Sequence, residues 1–258
     1  MAGERDPWYA SWFGEEYLAL YPERDDIEAE HQAAFVRELL SPFARLGRVG
    51  LLDLACGTGR HAIVLDGGQG GVVGLDLSFH LLAEALSRSA CPRPGYVRGD
   101  MRRLPFPAAT FGAVVNFFTS FGYFEDPEDD ARALAEVTRV LAPGGAFLSD
   151  FLNAERVLST LASREEKTVA GQRISIRRKY DEKSRRIEKQ IQMGIDGEPR
   201  TFRESVRAYV EADLRDLHRA AGLDVLGTFG DFDGSPFEVR RSPRLILLAA
   251  KASDAGDN

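Results

Sequence analysis

The stretch Leu51-Leu52-Asp53-Leu54-Ala55-Cys56-Gly57-Thr58-Gly59 constrains this chain most, because a short apolar run gives way to two glycines one residue apart. Such a run reads as a buried strand, and glycine at its end lets the backbone approach a ligand closely where a helix begins. A second run, residues 72–76, ends just before Ser78, a good helix N-cap. Residues 96–100, 111–116 and 146–151 read as further strands. Between the last two, Asp126 can cap a helix that has Pro127 at its first position and Leu134, Val137 and Leu141 on its apolar face. Pro143-Gly144-Gly145 stops it. Repeated strand–helix units imply an α/β fold, with a parallel sheet covered on both faces.

Residues 155–208 break that rhythm. Three strands are expected there, at 172–180, 185–195 and 200–208, joined at Asp181-Glu182-Lys183-Ser184 and at Asp196-Gly197-Glu198-Pro199. The Asp-Gly step between alternating segments is a strong hairpin signal, so an inserted antiparallel β-meander is expected. The α/β pattern then resumes: Leu214, Leu217 and Ala221 stripe a helix ending at Gly222, followed by strands near 225–229 and 245–250. The organisation expected is an N-terminal helical lid at 1–47, a core made of 48–154 and 209–258, and an insert at 155–208.

With 258 residues the chain is one large domain or two small ones, and 44% hydrophobic with 28% charged residues places it among ordinary globular proteins. Its net charge of -7 opposes bulk nucleic-acid binding through phosphate contacts. The insert runs the other way, with 14 Lys and Arg against 9 Asp and Glu in residues 155–208. That excess reads either as a solvated sheet face that resists edge pairing or as a site for an anionic substrate group. The segment Met1-Ala2-Gly3-Glu4-Arg5-Asp6-Pro7 has no signal-peptide pattern, and the longest apolar run, 245–250, is far short of a membrane span, so a cytoplasmic protein is expected. Cys56 and Cys91 show neither metal-ligand spacing nor a disulfide framework.

The glycines alone indicate a nucleoside-type site. Gly57, Gly59 and Ala62 also fit the dinucleotide pattern, and Asp76 at the end of the second strand can hold ribose hydroxyls in either case. Asp53 separates the two readings: its charge would repel a pyrophosphate and attract an ammonium or sulfonium. Gly99-Asp100-Met101 ends the third strand with a carboxylate able to accept from an adenine amino group, and Leu141-Ala142-Pro143-Gly144-Gly145 precedes the fifth.

With these motifs on the page, the sequence resembles the class I S-adenosylmethionine-dependent methyltransferases, small-molecule branch. The resemblance rests on Leu-Asp-Leu-Ala-Cys-Gly-Thr-Gly-Arg-His at 52–61, Gly-Leu-Asp-Leu-Ser at 74–78, Gly-Asp-Met at 99–101 and Leu-Ala-Pro-Gly-Gly at 141–145. It implies a doubly wound, seven-stranded Rossmann-like methyltransferase sheet whose last strand is antiparallel. It also implies S-adenosylmethionine as cofactor and S-adenosylhomocysteine as product. By resemblance Asp53, Ala55 and Gly57, with Gly59, surround the methionine moiety. Asp76 binds the ribose, Leu77 covers the adenine, and Asp100 with Met101 reads its edge. Asn116, at the end of strand four, completes the candidate cofactor set. Two departures stand out: Phe111-Gly112-Ala113 lacks the usual carboxylate, and Asp66-Gly67-Gly68 predicts an early end to the first core helix.

On the acceptor side, Trp8 and Trp12 lie four apart, and Tyr9, Phe13, Tyr17 and Tyr21 repeat at that spacing. If the segment is helical this is an aromatic stripe, either core packing or a lid over a methyl donor whose cation the rings favour. Methyltransferases of this branch use such a lid, which singles out Tyr17. The loop Asn116-Phe117-Phe118-Thr119-Ser120-Phe121-Gly122-Tyr123 is similar to the acceptor loop of amino-sugar N-methyltransferases, where a histidine stands at the position of Tyr123. A phenol with its ordinary pKa near 10 is a poor base, so Tyr123 is expected to orient an amine or hydroxyl. Of His31, His61, His80 and His218, only His61 adjoins the cofactor loop as a candidate base. Asp150, Asn153, Asp231 and Asp233 are further polar candidates. The function expected is methyl transfer to a nitrogen, less readily an oxygen, of a small metabolite, without a metal. The competing readings are a nicotinamide-dependent oxidoreductase, a non-catalytic S-adenosylmethionine-binding module and an RNA methyltransferase.

Overall fold

A computed structural model of the protein describes residues 7–21, 26–43, 49–69, 71–89, 94–169, 171–195 and 198–253. Cys91 and the Asp196-Gly197 step lie outside these residues. The chain opens with three helices, α1 (Trp8–Trp12), α2 (Glu15–Leu20) and α3 (Asp26–Leu40). An alternating run follows: β1 (Val49–Leu54), α4 (Arg60–Asp66), β2 (Val72–Asp76), α5 (Phe79–Arg88), β3 (Gly95–Arg98), β4 (Phe111–Asn116), α6 (Pro127–Val140) and β5 (Leu141–Leu152). After α7 (Ala154–Ser159) come four strands, β6 (Arg164–Val169), β7 (Gln172–Asp181), β8 (Arg186–Ile195) and β9 (Glu198–Arg207). The chain closes with α8 (Glu211–Ala220), β10 (Leu223–Phe229) and β11 (Arg244–Lys251).

Seven strands form one sheet in the order β10-β11-β5-β4-β1-β2-β3. β1 to β5 run parallel, and β11 pairs antiparallel with β5 and β10. Side chains of successive residues leave β4 on opposite faces. Val114 therefore joins a cluster with Leu134 and Val137 of α6, whereas Ala113 and Val115 join one with Val36 and Leu40 of α3. The strand order reverses between β1 and β4, so their carboxyl ends open a crevice suited to a ligand. The start signals of the flanking helices operate as read, but the expected stop does not: α6 ends at Val140, and Leu141 with Pro143-Gly144-Gly145 already belongs to β5, which pairs with β4 from Leu141 onward. The Ser78 Oγ accepts from Leu81 N at 3.2 Å, and an Asp126 carboxylate oxygen accepts from Glu128 N at 2.9 Å beside Pro127. α4 stops after seven residues at Gly67.

Two expectations are corrected. The second sheet has four strands, in the order β6-β7-β8-β9, and not three. β6 is Arg-Glu-Glu-Lys-Thr-Val; its charges conceal an alternation in which Glu165, Lys167 and Val169 are half-buried and their neighbours exposed. The aromatic stripe is not one helix either, because Phe13 and Gly14 separate α1 from α2 with non-helical backbone. Trp12 and Leu20 of these helices pack with Ile174, Ile176, Ile191 and Met193, so this segment shares its core with the antiparallel sheet. One hydrogen bond returns it to the larger sheet, from Ser78 Oγ to Phe13 O at 2.7 Å.

Candidate active site

β1 delivers Asp53 to the crevice and then turns sharply, with Ala55, Gly57 and Gly59 at φ of 59°, 57° and 71°. Asp76, at the end of β2, fastens that turn: one carboxylate oxygen accepts from Gly57 N at 2.8 Å, the other from Ser78 N at 2.8 Å. Burial raises the Asp76 pKa, and these backbone donors oppose the rise. Asp53 is 1% exposed, and its Oδ2 has no hydrogen-bond partner. Burial, then repulsion from Asp76, pushes its pKa up to about 7. A buried carboxylate with an unsatisfied oxygen is strongly disfavoured unless a cation reaches it.

Two cavities meet above this turn. The smaller, about 120 Å³, is lined by Asp76, Leu77, Asp100 and Met101. The larger, about 400 Å³, is lined by Asp53, His61, Phe118, Lys189, Glu204 and Arg244. Both include Ala55, Gly57, Tyr17 and Tyr123 in their walls, so these residues mark the seam. Tyr123 lies among the N-terminal aromatics, with ring centroids 4.8 Å from Trp8 and 5.8 Å from Phe13. Tyr17 stands 4.9 Å from Phe13 and 5.1 Å from Tyr21.

Other candidates are placed differently. Gly59 lines neither cavity; a Cβ there would stand 2.4 Å from the Tyr96 hydroxyl oxygen, so this glycine serves close packing. Asn116 is also outside both, its Nδ2 donating to Leu54 O at 2.7 Å and tying β4 to β1. Asp100 lines the smaller cavity with its carboxylate already engaged by Arg102, at 3.1 Å to Nε and 2.6 Å to Nη2. Burial works against the Asp100 charge, but these bonds hold its pKa below the ordinary value. His61 is buried, hydrogen-bonded to Gln32 Oε1 at 2.7 Å and stacked on Phe117 at 4.0 Å. Burial and then Arg60 depress its pKa well below the ordinary value, so the imidazole is neutral and a weak base.

Asp150 supports the acceptor loop from below, accepting from Phe118 N at 2.8 Å and from Arg244 Nε at 2.6 Å. Asn153 caps α7 and donates to Val239 O and Ser242 O. Asp231 and Asp233 accept from nearby turn amides and line neither cavity. Sequence reasoning missed Lys189 and Glu204, which are register partners on β8 and β9. Glu204 Oε1 accepts from Trp12 Nε1 at 3.0 Å and from the Tyr21 hydroxyl at 3.1 Å, and Lys189 lies 3.2 Å from Oε2. Only the period-2 alternation of those strands marked both side chains as facing one way.

Among the described residues no group of His, Cys, Asp and Glu is arranged to hold a metal ion, and no helix is long and apolar enough to cross a membrane. A family model described as a methyltransferase domain matches residues 51–145. A phthiotriol/phenolphthiotriol dimycocerosates methyltransferase of Mycobacterium ulcerans is 31% identical over 203 residues, covering 78% of this chain and 68% of that protein. The chain belongs to the S-adenosylmethionine-dependent methyltransferases.

This methyltransferase is also similar to the dTDP-3-amino-3,4,6-trideoxy-alpha-D-glucopyranose N,N-dimethyltransferase of Streptomyces venezuelae. The two are 38% identical over 98 residues, and the match spans 38% of the chain and 40% of that enzyme. An S-adenosylmethionine-dependent methyltransferase from Clostridium acetobutylicum shares its fold at a TM-score of 0.78 and 20% identity, over 92% of this chain and 98% of that one. Membership of the family makes S-adenosylmethionine the cofactor. The residues at the crevice suit it, because the orphaned Asp53 oxygen calls for a cation and the neighbouring wall carries the second carboxylate, Asp76.

Proposed function

We propose that this enzyme methylates a nitrogen of a small metabolite at the seam between the two cavities. The observation that carries the reading is the meeting of a carboxylate-bearing nucleoside cavity with a larger, aromatic and polar cavity at Tyr17 and Tyr123. When bound, S-adenosylmethionine supplies a methyl group that an acceptor lone pair takes by in-line displacement. Asp53 would hold the amino-acid ammonium, with Ala55 and Gly57 alongside; Asp76 would take the ribose hydroxyls. Leu77, Asp100 and Met101 would border the adenine. The protein's task is alignment and exclusion of water, which fits a site walled by rings. We read residues 1–47 as the lid carrying Tyr17, and residues 155–208 as the insert that closes the acceptor side.

Nitrogen is favoured over oxygen because an alcohol needs a base, and burial makes His61 a weak one whose Nε2 is already engaged by Gln32. An amine carries its own lone pair once deprotonated in solution. The name of the Streptomyces venezuelae relative, an amino-sugar N,N-dimethyltransferase, supports the same choice. A nicotinamide-dependent oxidoreductase is disfavoured by the Asp53 charge beside the glycine turn.

The test is a screen of amine and hydroxyl metabolites for release of S-adenosylhomocysteine. With an amine the rate should climb with pH until the acceptor is deprotonated. Tyr123→Phe should lower kcat about tenfold and leave cofactor affinity nearly unchanged, since only the orienting hydroxyl is lost. Activity confined to structured RNA would overturn the reading.

A further inference from the structure

The antiparallel sheet holds a buried cation that methyl transfer, as read above, leaves unused. Arg186 begins β8 and is 7% exposed. Its Nε donates to Ser205 Oγ at 2.7 Å, and its Nη1 to Phe124 O at 2.8 Å. Its Nη2 donates to Ser205 O at 2.6 Å, Tyr123 O at 2.9 Å and Gly122 O at 3.2 Å. The guanidinium thus grips three successive carbonyls of the acceptor loop, 122 to 124, and none of these acceptors is a carboxylate. A rigid fork of donors, buried at the cost of its hydration, is directed at backbone.

The amides of the same loop are held by carboxylates. Phe118 N donates to Asp150 at 2.8 Å, and Gly122 N donates to the fully buried Asp130 at 3.2 Å. The backbone that aims Arg186 is itself constrained. Arg185, the residue before it, has φ of 54°, a left-handed conformation that costs a non-glycine residue energy. It is fixed by an ion pair with Asp213 and by Ala208 N donating to its carbonyl at 2.8 Å.

We propose that Arg186 is a positioning residue for the reaction: by clamping the carbonyls of residues 122–124 it sets Tyr123 at the seam of the two cavities. The second sheet is then part of the catalytic machinery as well as a cover. This rests on the reading of Tyr123 as the group that orients the acceptor.

Two measurements on the full chain test it. Hydrogen exchange should show Arg186→Lys speeding exchange at residues 120–125 while residues 51–59 of the cofactor turn stay protected. In kinetics Arg186→Lys should lower kcat about tenfold with cofactor affinity unchanged, and in a Tyr123→Phe background the same change should cost less than about threefold. Equal losses in both backgrounds, or unchanged exchange at 120–125, would overturn the clamp. Should Arg186→Lys fail to fold, Ser205→Ala removes one acceptor of the guanidinium and leaves its charge in place. It should give a smaller loss of kcat with the same coupling to Tyr123, and unaltered kcat and exchange would be equally fatal. Full turnover in Tyr123→Phe would instead overturn the acceptor-orienting role of Tyr123, and the exchange measurement then decides the clamp alone.

Discussion

Asp53 is buried with one oxygen unpartnered, which burdens the free protein and, on the function proposed above, serves the bound one. Its folded pKa of about 7 lies above the ordinary carboxylate value, so the native state binds a proton more tightly than the unfolded chain between about pH 4 and pH 7. Its contribution to stability therefore falls as pH rises through that window. Asp53→Asn should raise the melting temperature of the cofactor-free protein at pH 8 by roughly 3 °C or more, with the gain vanishing near pH 4. Thermal scans at the two pH values check this. The same substitution should weaken S-adenosylmethionine about tenfold or more, because the cation loses its counter-charge. Binding near pH 7 should also release protons, seen by calorimetry in buffers of different ionisation enthalpy, and Asp53→Asn should abolish the release. Asp76→Ala should weaken the cofactor as well, by about 1.5 to 3 kcal/mol per charged hydrogen bond lost, with loosening of the turn that Gly57 N now anchors. Both aspartates were legible in the sequence, since each sits beside its own strand end and a local motif announces it.

At the scale of elements, legibility followed locality. The Ser78 cap, the Asp126-Pro127 start and the short α4 are each settled within a few residues, and each matches its signal. β6 is recognised only by its pairing with β7, so a run of alternating charges gave no warning of it. Gly59 was read as a ligand-facing glycine, yet its constraint comes from Tyr96, which belongs to another strand. Gly59→Ala should therefore destabilise the fold by about 2 kcal/mol or more through both the left-handed backbone and the Tyr96 contact. Urea melts would measure the loss, and Tyr96→Phe in that background should recover part of it by removing the nearest atom. Recovery of none would mean that the hydroxyl is not the obstacle, leaving the left-handed backbone and the contacts with Tyr96 Cζ at 2.9 Å and Ala85 Cβ at 3.0 Å.

Across the whole molecule, the union of the first two helices with the second sheet left no mark in the sequence. Trp12 and Glu204 are 192 residues apart in the chain, and no periodicity links such positions. Tyr17 belongs both to this union and to the seam, so Tyr17→Ala should reduce cofactor affinity and turnover together, whereas Tyr123→Phe reduces turnover alone. Equilibrium binding and steady-state kinetics on the two variants separate these patterns.

The packing of the first two helices also sets an order of assembly. Trp12 and Leu20 are buried by strands far along the chain, ending with Glu198–Arg207. Contacts so distant in sequence close slowly. Both tryptophans of the chain, Trp8 and Trp12, lie in this segment, so intrinsic fluorescence is a built-in reporter of its docking. On refolding, the indole emission should change after the far-ultraviolet ellipticity has recovered, because the larger sheet can form from nearer neighbours while the first helices still wait for theirs.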